Sequence, residues 1–360
     1  MYYTKKYFIY FSFFIYCGDI LKIPKICVIE GDGIGNEVIP EAINVLNEIG
    51  DFEFIFEHAG YECFKRCGDA IPSKTIETAK QCNAILFGAV STPKLDETKD
   101  KIYKSPILTF RKQLDLYANV RPINNFKNID FIIIRENTEG LYSGIEYYNE
   151  EKELAISERH ISKKGSEKII KFAFEYAKKH HRKNVSCIHK SNVLRITDGL
   201  FLNIFNKYKE KYEKEYNITG NDYLVDATAM YILKNPEMFD VMVTTNLFGD
   251  ILSDEASGLL GGLGLAPSAN IGDKYGLFEP VHGSAPDIAG KGIANPIASI
   301  LSASMMLYYL GMKKDSKIIK LAVKKVLENK NITPDLGGNL KTTEVSKKII
   351  NEINNIKEIY

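Results

Sequence analysis

Residues 239–257, FDVMVTTNLFGDILSDEAS, contain a buried-strand pattern followed directly by a helix pattern. Residues 239–245 form a continuous apolar and β-branched run, which is typical of a strand buried in a parallel sheet. Gly249 ends this run, and we predict a helix over residues 251–260, ILSDEASGLL. A buried strand followed by a helix is the repeating unit of α/β proteins, so this stretch indicates the fold class.

Asp250 and Asp254 lie four residues apart at the start of this predicted helix. Residues at i and i+4 share a helix face, with Cβ atoms about 5–6 Å apart, so both carboxylates can point at one place. Two converging carboxylates repel each other unless a cation lies between them, and hard oxygen ligands suit Mg²⁺ or Mn²⁺. The alternative is a pair of solvated aspartates near a helix start, where negative charge is favoured without any ligand.

The alternation of strands and helices extends from residue 25 to the end of the chain. We predict further strands at 25–30, 84–90, 130–137 and 184–190, with helices at 37–50, 166–180 and 199–216. This order predicts helices packed on a mostly parallel sheet, the α/β class. Residues 258–292 are rich in glycine and show few helix or strand signals, so we predict a long functional loop there.

Length and charge limit the classes of function. The chain has 360 residues, enough for about two domains. Its 47 Lys and Arg residues balance 46 Asp and Glu residues, and the net charge of +1 argues against a nucleic-acid partner. Six cysteines occur without CxxC pairing, which is typical of reduced thiols in a cytosolic protein. We therefore predict a cytoplasmic location.

Residues 1–20 contain two lysines and a short apolar, aromatic run. The run is shorter than the about 20 residues that a membrane span needs, although its length suits a signal-peptide core. An enzyme-like pattern then begins abruptly at the strand 25–30. We therefore predict that residues 1–20 are a non-native or disordered leader, that translation starts near Leu21, and that the protein has no membrane partner.

Residues 30–35, EGDGIG, follow the first strand and precede a helix. The spacing is GxGxG instead of GxGxxG, and no acidic residue closes a second strand at the usual offset of about 20 residues. The motif therefore predicts a tight turn that brings the backbone close to a ligand, and not a Rossmann dinucleotide site.

Three arginines, Arg111, Arg121 and Arg135, lie near the ends of predicted elements. Guanidinium groups bind carboxylates with two parallel hydrogen bonds. In a chain of neutral charge the three together predict a clamp for carboxylates, whereas each taken alone is more typical of the surface.

Five segments resemble the β-decarboxylating dehydrogenases, the family of isocitrate, 3-isopropylmalate and homoisocitrate dehydrogenases. They are RKQLDLYANVRP (111–122), IIIRENTEGLY (132–142), HKSNVLRITDGLF (189–201), TTNLFGDILSDEAS (244–257) and GLFEPVHGSAPDIAGKGIANP (276–296). The resemblance implies a two-domain isocitrate/isopropylmalate dehydrogenase-like α/β fold, distinct from the Rossmann fold. Residues 21–116 with 262–360 would form the large cofactor-binding domain, and residues 117–261 the smaller domain with the dimer contacts and metal aspartates.

The resemblance also implies the reaction, an oxidative decarboxylation of a 3-substituted malate in the cleft between the domains. Position by position, Arg111, Arg121 and Arg135 match the residues that bind the malate carboxylates. Tyr142 matches the tyrosine that protonates the product after decarboxylation. Lys190 matches the lysine that assists proton transfer at the C2 hydroxyl.

The metal site and the assembly are implied in the same way. Asp226, Asp250 and Asp254 match the ligands of a divalent ion, Mg²⁺ or Mn²⁺. In the family Lys190 and Asp226 come from the neighbouring subunit, so the resemblance implies a homodimer or larger assembly with a shared active site.

The resemblance implies that the cofactor is NAD. Residues matching the adenosine loop are His282, Gly283, Ser284, Ala285, Asp287 and Asn295, and those matching nicotinamide neighbours are Asn192 and Val193. Enzymes of the family that use NAD resemble this chain at PDIAG, because an aspartate there accepts a hydrogen bond from the ribose 2′-hydroxyl. Enzymes that use NADP have a lysine and a tyrosine, which meet the 2′-phosphate.

The segment that senses the C3 substituent is KSPILTFR, residues 104–111. Ile107 and Leu108 suit an apolar group such as isopropyl, but isopropylmalate enzymes often carry an acidic residue where this chain has Lys104. Ser105 matches a serine of isocitrate enzymes, and the whole segment resembles archaeal homoisocitrate enzymes. We predict homoisocitrate first, 3-isopropylmalate second and isocitrate third, with Lys104 or Ser105 meeting a distal carboxylate. A non-catalytic regulatory subunit is a further alternative, although such a subunit would be expected to lack one of the catalytic or metal residues.

Overall fold

The computed structural model describes residues 23–94 and 103–358, so the leader predicted for residues 1–20 lies outside the described part. The strands are β1 (Lys25–Gly31), β2 (Glu53–Phe56), β3 (Ala84–Ala89), β4 (Ala118–Asn124), β5 (Asp130–Glu136), β6 (Glu146–Asn149), β7 (Leu154–Ser157), β8 (Asn184–His189), β9 (Thr219–Leu224), β10 (Val241–Thr244), β11 (Pro267–Ile271) and β12 (Gly276–Pro280). The helices are α1 (Gly35–Ile49), α2 (Tyr61–Cys67), α3 (Ser73–Gln81), α4 (Pro106–Gln113), α5 (Lys163–Lys179), α6 (Thr197–Tyr216), α7 (Val225–Lys234), α8 (Asn246–Ser257), α9 (Ile297–Tyr309), α10 (Lys313–Glu328) and α11 (Thr342–Lys357). The predicted strands and helices are all present, within a few residues at each end.

Ten strands form one sheet in the order β2-β1-β3-β12-β11-β4-β5-β10-β8-β9. The ladders toward both edges are parallel, whereas β12–β11, β11–β4 and β4–β5 are antiparallel. β6 and β7 pair separately as an antiparallel ribbon. The α/β class with a mostly parallel sheet is confirmed, and the antiparallel strands lie at the centre.

Helices cover both faces of the sheet. On one face, here called the back, α5, α6, α9, α10 and α11 share a hydrophobic cluster with α1. On the opposite face, called the front, α3 and α4 cover one side of the sheet and α7 and α8 cover the other. The two front groups flank the central strands β4, β11 and β12. Polar residues meet between them, on the front face of these strands.

The long loop predicted for residues 258–292 is wrong, because this segment contains β11 and β12 at the centre of the sheet. Ser268, Asn270 and Glu279 alternate along these strands with apolar neighbours. These polar side chains, which are buried or nearly so, interrupt the apolar run by which a buried strand is recognised in a sequence.

The helix predicted from residue 251 begins five residues earlier, at Asn246. Gly249 therefore lies inside α8 and does not break the chain. A Cβ atom at this position would come within 2.6 Å of Arg135 Cγ, so glycine lets the helix approach the arginine closely. The close approach positions the first turn of α8 against the end of β5.

The predicted tight turn after β1 is confirmed. Gly31 and Gly33 have φ values of 80° and 57°, which favour glycine. The Ile34 amide donates to the Ser284 carbonyl oxygen at 2.9 Å, and a Cβ on Gly33 would lie 2.1 Å from that oxygen. The turn thus packs against the segment 282–295, and its approach to a ligand stays a prediction.

Within residues 23–94 and 103–358, no helix is both long and apolar enough to cross a membrane. The division into two domains also stays a prediction. The two proposed groups of residues occupy separate halves of the sheet, which meet at the β11–β4 ladder.

Candidate active site on the front face

Three arginines from three elements meet on the front face. Arg111 is in the last turn of α4, Arg121 is on β4 and Arg135 is on β5. Their exposed fractions are only 6%, 7% and 1%, respectively. Burial of a guanidinium group is costly unless charges or hydrogen bonds compensate it, so this cluster requires specific partners.

Asp250 and Asp254 provide the compensating charges from one face of α8, as their spacing predicts. Arg121 Nη1 donates to Asp254 Oδ1 at 2.8 Å, and Arg121 Nη2 lies 3.4 Å from Asp250 Oδ1. Arg135 Nη1 also donates to Asp250 Oδ1. The Arg121 guanidinium thus lies against both carboxylates, and the divalent ion between them stays a prediction.

Neutral side chains hold the same arginines in place. Arg121 Nε donates to Asn119 Oδ1 at 2.8 Å and Nη1 donates to Ser253 Oγ at 2.6 Å. Arg135 Nε and Nη2 both donate to Asn246 Oδ1, at 3.0 and 2.7 Å. These bonds fix both guanidinium planes, which is the preorganisation that carboxylate recognition needs.

Arg111 differs from the other two because its partners are incomplete. Its Nη2 lies 3.7 Å from Glu279 Oε1. Its buried Nε has no hydrogen-bond partner among the described residues. A buried donor left unpaired costs about 1–3 kcal/mol, so Arg111 is the arginine best prepared to receive an anionic ligand.

Tyr142 joins the cluster from a short 3₁₀-helix, Leu141–Ser143. Its hydroxyl donates to Asp250 Oδ2, and the Arg135 guanidinium lies 4.9 Å from its ring centroid. Burial and this hydrogen bond raise the pKa of Tyr142 above its ordinary value. The hydroxyl therefore keeps its proton at neutral pH and can act as an acid.

The charges shift one another's pKa values. Burial, reinforced by Arg111 and Arg121, lowers the pKa of Arg135 to about 10. Burial raises the pKa of Asp250, but the three arginines and Tyr142 outweigh it and hold the pKa below its usual value. Burial raises the pKa of Asp254, although Arg121 opposes the change. Asp250 is therefore the firmly ionised member of the pair.

Asp250 and Asp254 fit a hard divalent cation by their chemistry, since carboxylate oxygens are the ligands that Mg²⁺ and Mn²⁺ prefer. Asp226 does not join them within this chain. In the described ranges, no three His, Cys, Asp or Glu side chains form a group that could hold a metal ion. A third ligand from a second subunit remains a prediction.

Lys190 and Asp226 instead form a pair of their own. Lys190 follows β8, Asp226 is in the first turn of α7, and the Lys190 amine donates to the Asp226 carboxylate. This hydrogen bond lowers the pKa of Asp226. Buried Asp198 supports the pair by accepting from the Lys190 amide at 2.7 Å and from Arg159 at 2.6 Å.

A cavity of about 170 Å³ lies beside the arginine cluster. Its lining residues include Ile107, Arg111 and Arg121, together with His282 and Gly283. The structure therefore brings part of the predicted substrate segment and part of the predicted cofactor loop to one cavity. Ser105 precedes α4 as its N-cap residue, and Leu108 is half-buried on the same helix.

The predicted cofactor loop is anchored by its own side chains. The buried Ser284 hydroxyl accepts from Ser91 Oγ at 2.7 Å. Asn295 accepts from the Ile297 amide at 3.0 Å and donates to Asp335. Ala285 has a φ of 39°, an unusual value for a residue with a side chain.

Other predicted cofactor residues have different surroundings. Asp287 is exposed, as a residue that meets a ribose would need to be. His282 Nε2 is buried without a partner among the described residues, and burial lowers the pKa of this imidazole. Asn192 and Val193 lie on an exposed turn after Lys190 and are not among the residues lining the cavity.

Several residues of the cluster were not predicted from the sequence. Asn246, Ser253 and Glu279 each contact an arginine of the cluster. Asn246 and Ser253 lie within residues 239–257, at i−4 and i+3 from Asp250, so their shared helix face is the available signal. Glu279 could have been found as the single carboxylate in an apolar strand.

A family model described as isocitrate/isopropylmalate dehydrogenase matches residues 25–351. The chain therefore belongs to this family and is a decarboxylating dehydrogenase. It is 62% identical over 346 residues to the homoisocitrate dehydrogenase of Methanocaldococcus jannaschii, covering 91% of this chain and 97% of that protein. It is 51% identical to the 3-isopropylmalate/3-methylmalate dehydrogenase of the same organism, covering 91% and 98%. A crystal structure of isocitrate dehydrogenase from Methylococcus capsulatus superposes with a TM-score of 0.86 at 40% identity, covering 92% and 99%.

Proposed function

We propose that the protein oxidises and decarboxylates a 3-substituted malate of the homoisocitrate type, with NAD and Mg²⁺ or Mn²⁺, to a 2-oxoacid, CO₂ and NADH. The observation that carries the proposal is the cluster of three buried arginines, of which Arg111 has an unpaired Nε. A substrate with several carboxylates matches this surplus of oriented donors.

The chain's own residues supply binding and proton transfer. Arg111, Arg121 and Arg135 hold the malate carboxylates and exclude water from them. Tyr142, whose hydroxyl is protonated at neutral pH, donates a proton to the carbon left after decarboxylation. Lys190, from the second subunit like Asp226, assists removal of the proton from the C2 hydroxyl.

Asp250 and Asp254, with Asp226 from a second subunit, would hold the divalent ion. When bound, the ion supplies Lewis-acid polarisation of the substrate oxygens. In the present structure Arg121 bridges the two aspartates of α8, so metal binding would require this guanidinium to exchange partners with the substrate.

Exposed Asp287 supports NAD over NADP, because a carboxylate repels a ribose 2′-phosphate. The double substitution Asp287→Lys with Ile288→Tyr should raise kcat/KM with NADP and lower it with NAD. No gain with NADP would count against this assignment of the loop.

Homoisocitrate is the lead substrate for two reasons. The chain is 62% identical to a homoisocitrate dehydrogenase and 51% identical to an isopropylmalate-type relative. Exposed Lys104 and half-buried Ser105 precede the half-buried Ile107, so a cation and a hydroxyl flank an apolar wall. 3-Isopropylmalate, which would place the enzyme in leucine biosynthesis, is the second candidate and isocitrate the third.

A second copy of the chain is the proposed partner. Met230 and Leu233 on α7 are 46% and 58% exposed, and Ile251 on α8 is 58% exposed. Large apolar side chains on neighbouring helices favour burial in an interface. Asp226 is on α7 as well, so an interface there would bring it near another copy. Cytoplasmic location stays part of the proposal.

The test is NADH formation with Mg²⁺ or Mn²⁺ on homoisocitrate, 3-isopropylmalate and isocitrate, measured side by side. We expect kcat/KM to be highest for homoisocitrate. Isocitrate, whose C3 substituent is shorter by one methylene, should follow within about 10- to 200-fold, because one methylene discriminates weakly. Preference for 3-isopropylmalate would move the assignment to leucine biosynthesis. Absence of turnover on all three, in a folded protein, would support a regulatory subunit instead.

A further inference from the structure

A second and larger cavity lies behind the central strands. It has a volume of about 530 Å³, and its floor is the back face of β4, β11 and β12. Val120, Ala269 and Phe278 form this floor, whereas Arg121, Ser268 and Glu279 beside them in the sequence line the front cavity. Side chains alternate along a strand, so the back pocket is separate from the proposed active site.

Aromatic rings from two helices form the walls of the back pocket. Phe172, Tyr176 and His180 recur at intervals of four, on one face of α5 and its end, while Tyr308 and Tyr309 come from α9. The His180 ring stacks on Tyr176, at 4.1 Å between centroids, and packs against Tyr308 at 4.9 Å with a tilt of 30°. Burial lowers the pKa of His180 to about 4, so this stack is uncharged at neutral pH.

Amines surround the rings. Lys178, Lys179 and Lys320 line the pocket, against one lining carboxylate, Glu175. Glu175 already accepts a hydrogen bond from the Tyr212 hydroxyl. Over the described part of the chain, no carboxylate lies within ion-pairing distance of these three lysines.

Charged residues near the back pocket do not neutralise its excess of positive charge. A cavity of about 230 Å³ shares Tyr176, His180 and Lys320 with the back pocket and contains Asp130. Asp130 is paired with Arg182 at 2.8 Å. Lys178 lies 3.8 Å from the centroid of Tyr216, so Lys179 and Lys320 are the amines best placed to meet a ligand.

We propose that the back pocket binds a small aromatic anion, a flat ring that carries one carboxylate or phosphate group. The volume lies in the range of about 300–1,000 Å³ that is usual for small-molecule sites. The ring would lie against the aromatic walls and the anion would meet Lys179 and Lys320. This proposal is independent of the proposed activity.

Isothermal titration calorimetry on the full chain tests the proposal with three naphthalene probes. 2-Naphthyl phosphate and 2-naphthylacetate carry the two candidate anions, and 2-naphthylmethanol has the same ring without charge. We expect both anions to bind about tenfold more tightly than the alcohol. The anion with the lower Kd shows whether the pocket prefers a phosphate or a carboxylate group.

Two variants locate the site. Lys320→Gln should weaken anion binding about three- to tenfold. Lys324→Gln is the matched control, because Lys324 is one turn further along α10 and pairs with Glu328 at 3.8 Å. It should bind the anions as the unaltered chain does.

A third variant distinguishes the back pocket from the front cluster. Arg111→Gln removes a front arginine and should leave probe binding unchanged. Loss of binding in this variant would place the probes in the front cavity and overturn the proposal. Absence of binding, equal binding of the alcohol, or unchanged binding in Lys320→Gln would overturn it as well.

Discussion

The front face of the central strands carries buried charges, whereas the back face of the same strands carries apolar and aromatic groups. Arg121 on β4 points forward to two aspartates of α8, and Val120 beside it points backward into the ring-lined pocket. The same strands form both faces, but different interactions stabilise the side chains on each face. Each front charge depends on a specific partner, while the back groups depend on contact area.

This difference predicts unequal responses to substitution. Removing one member of a buried ion pair leaves an uncompensated charge, which costs about 3–5 kcal/mol. Removing one ring from a half-open stack loses only part of its contact area, about 0.5–1.5 kcal/mol. Front substitutions should therefore change both activity and stability, and back substitutions should change stability alone.

The largest expected effect is that of Asp250→Asn. Asp250 is bound by Arg121, Arg135 and Tyr142, and its loss removes a proposed metal ligand as well as the charge opposite two guanidinium groups. We expect kcat/KM to fall at least about 10³-fold, equivalent to about 4 kcal/mol. NADH formation and circular dichroism on the same preparation measure this. Glu255→Gln on the same helix is the control and should retain activity; a folded Asp250→Asn protein with near-normal turnover would contradict the assignment.

The substitution Arg135→Lys keeps the charge, and it tests whether arginine contacts contribute more to stability on the front face than near the back pocket. A lysine cannot contact Asn246 and Asp250 together as the guanidinium does. We expect the free energy of unfolding to fall by about 2–3 kcal/mol. The matched control is Arg182→Lys near the back pocket, where half-buried Arg182 pairs with Asp130 and Asp240, and the expected loss there is below about 1 kcal/mol. Equal losses in urea denaturation would show that the faces do not differ.

The sequence predicted the charged residues of the front face better than it predicted the strands that carry them. Arg121 and Asp254 stand out because charged residues in apolar surroundings have few structural uses. The sequence predicts a loop where β11 and β12 lie, because Ser268, Asn270 and Glu279 interrupt their apolar pattern. The same residues face the arginine cluster. The polar residues that serve the site therefore prevent recognition of these two strands from the sequence.

The back pocket could not be predicted from the sequence, for a different reason. Phe172, Tyr176 and His180 lie within or at the end of a helix that was predicted correctly. Their partner Tyr308 is on α9, far away in the chain, and only the packing of α5 against the sheet brings the rings together. A helical pattern gives the faces of a helix but not the element that each face meets.

His180 gives the back face a pH dependence of its own. Its pKa is lowered from 6.5 to about 4, first by burial and then by Lys179, Lys320, Arg182 and His181. The unfolded chain binds this proton more readily, so the stability contributed by neutral His180 is lost as pH falls from 6.5 toward 4. We expect a loss of about 1–2 kcal/mol over this range, since the group is only half-buried.

The variant His180→Phe isolates this dependence from that of the other histidines. It keeps a stacking ring without a titrating group, so its unfolding free energy should fall less than that of the unaltered chain between pH 6.5 and 4. His181→Asn removes the exposed neighbouring imidazole, which has the smallest of the effects that lower the pKa of His180, and should reduce the original slope only slightly. Identical slopes in all three proteins would show that burial of His180 has no energetic consequence.

The smallest expected effect is that of Tyr308→Leu, which tests whether the two faces are energetically separate. Tyr308 stacks on His180 and lies under the amines of Lys179 and Lys313, at 5.2 and 5.7 Å from its ring centroid. Leucine keeps an apolar side chain but loses the stack, so we expect stability to fall by about 0.5–1 kcal/mol. Because the front arginines do not contact this ring, kcat/KM should stay within about twofold. A larger change in kcat/KM, with folding intact, would show that β4, β11 and β12 transmit strain from the back pocket to the arginine cluster.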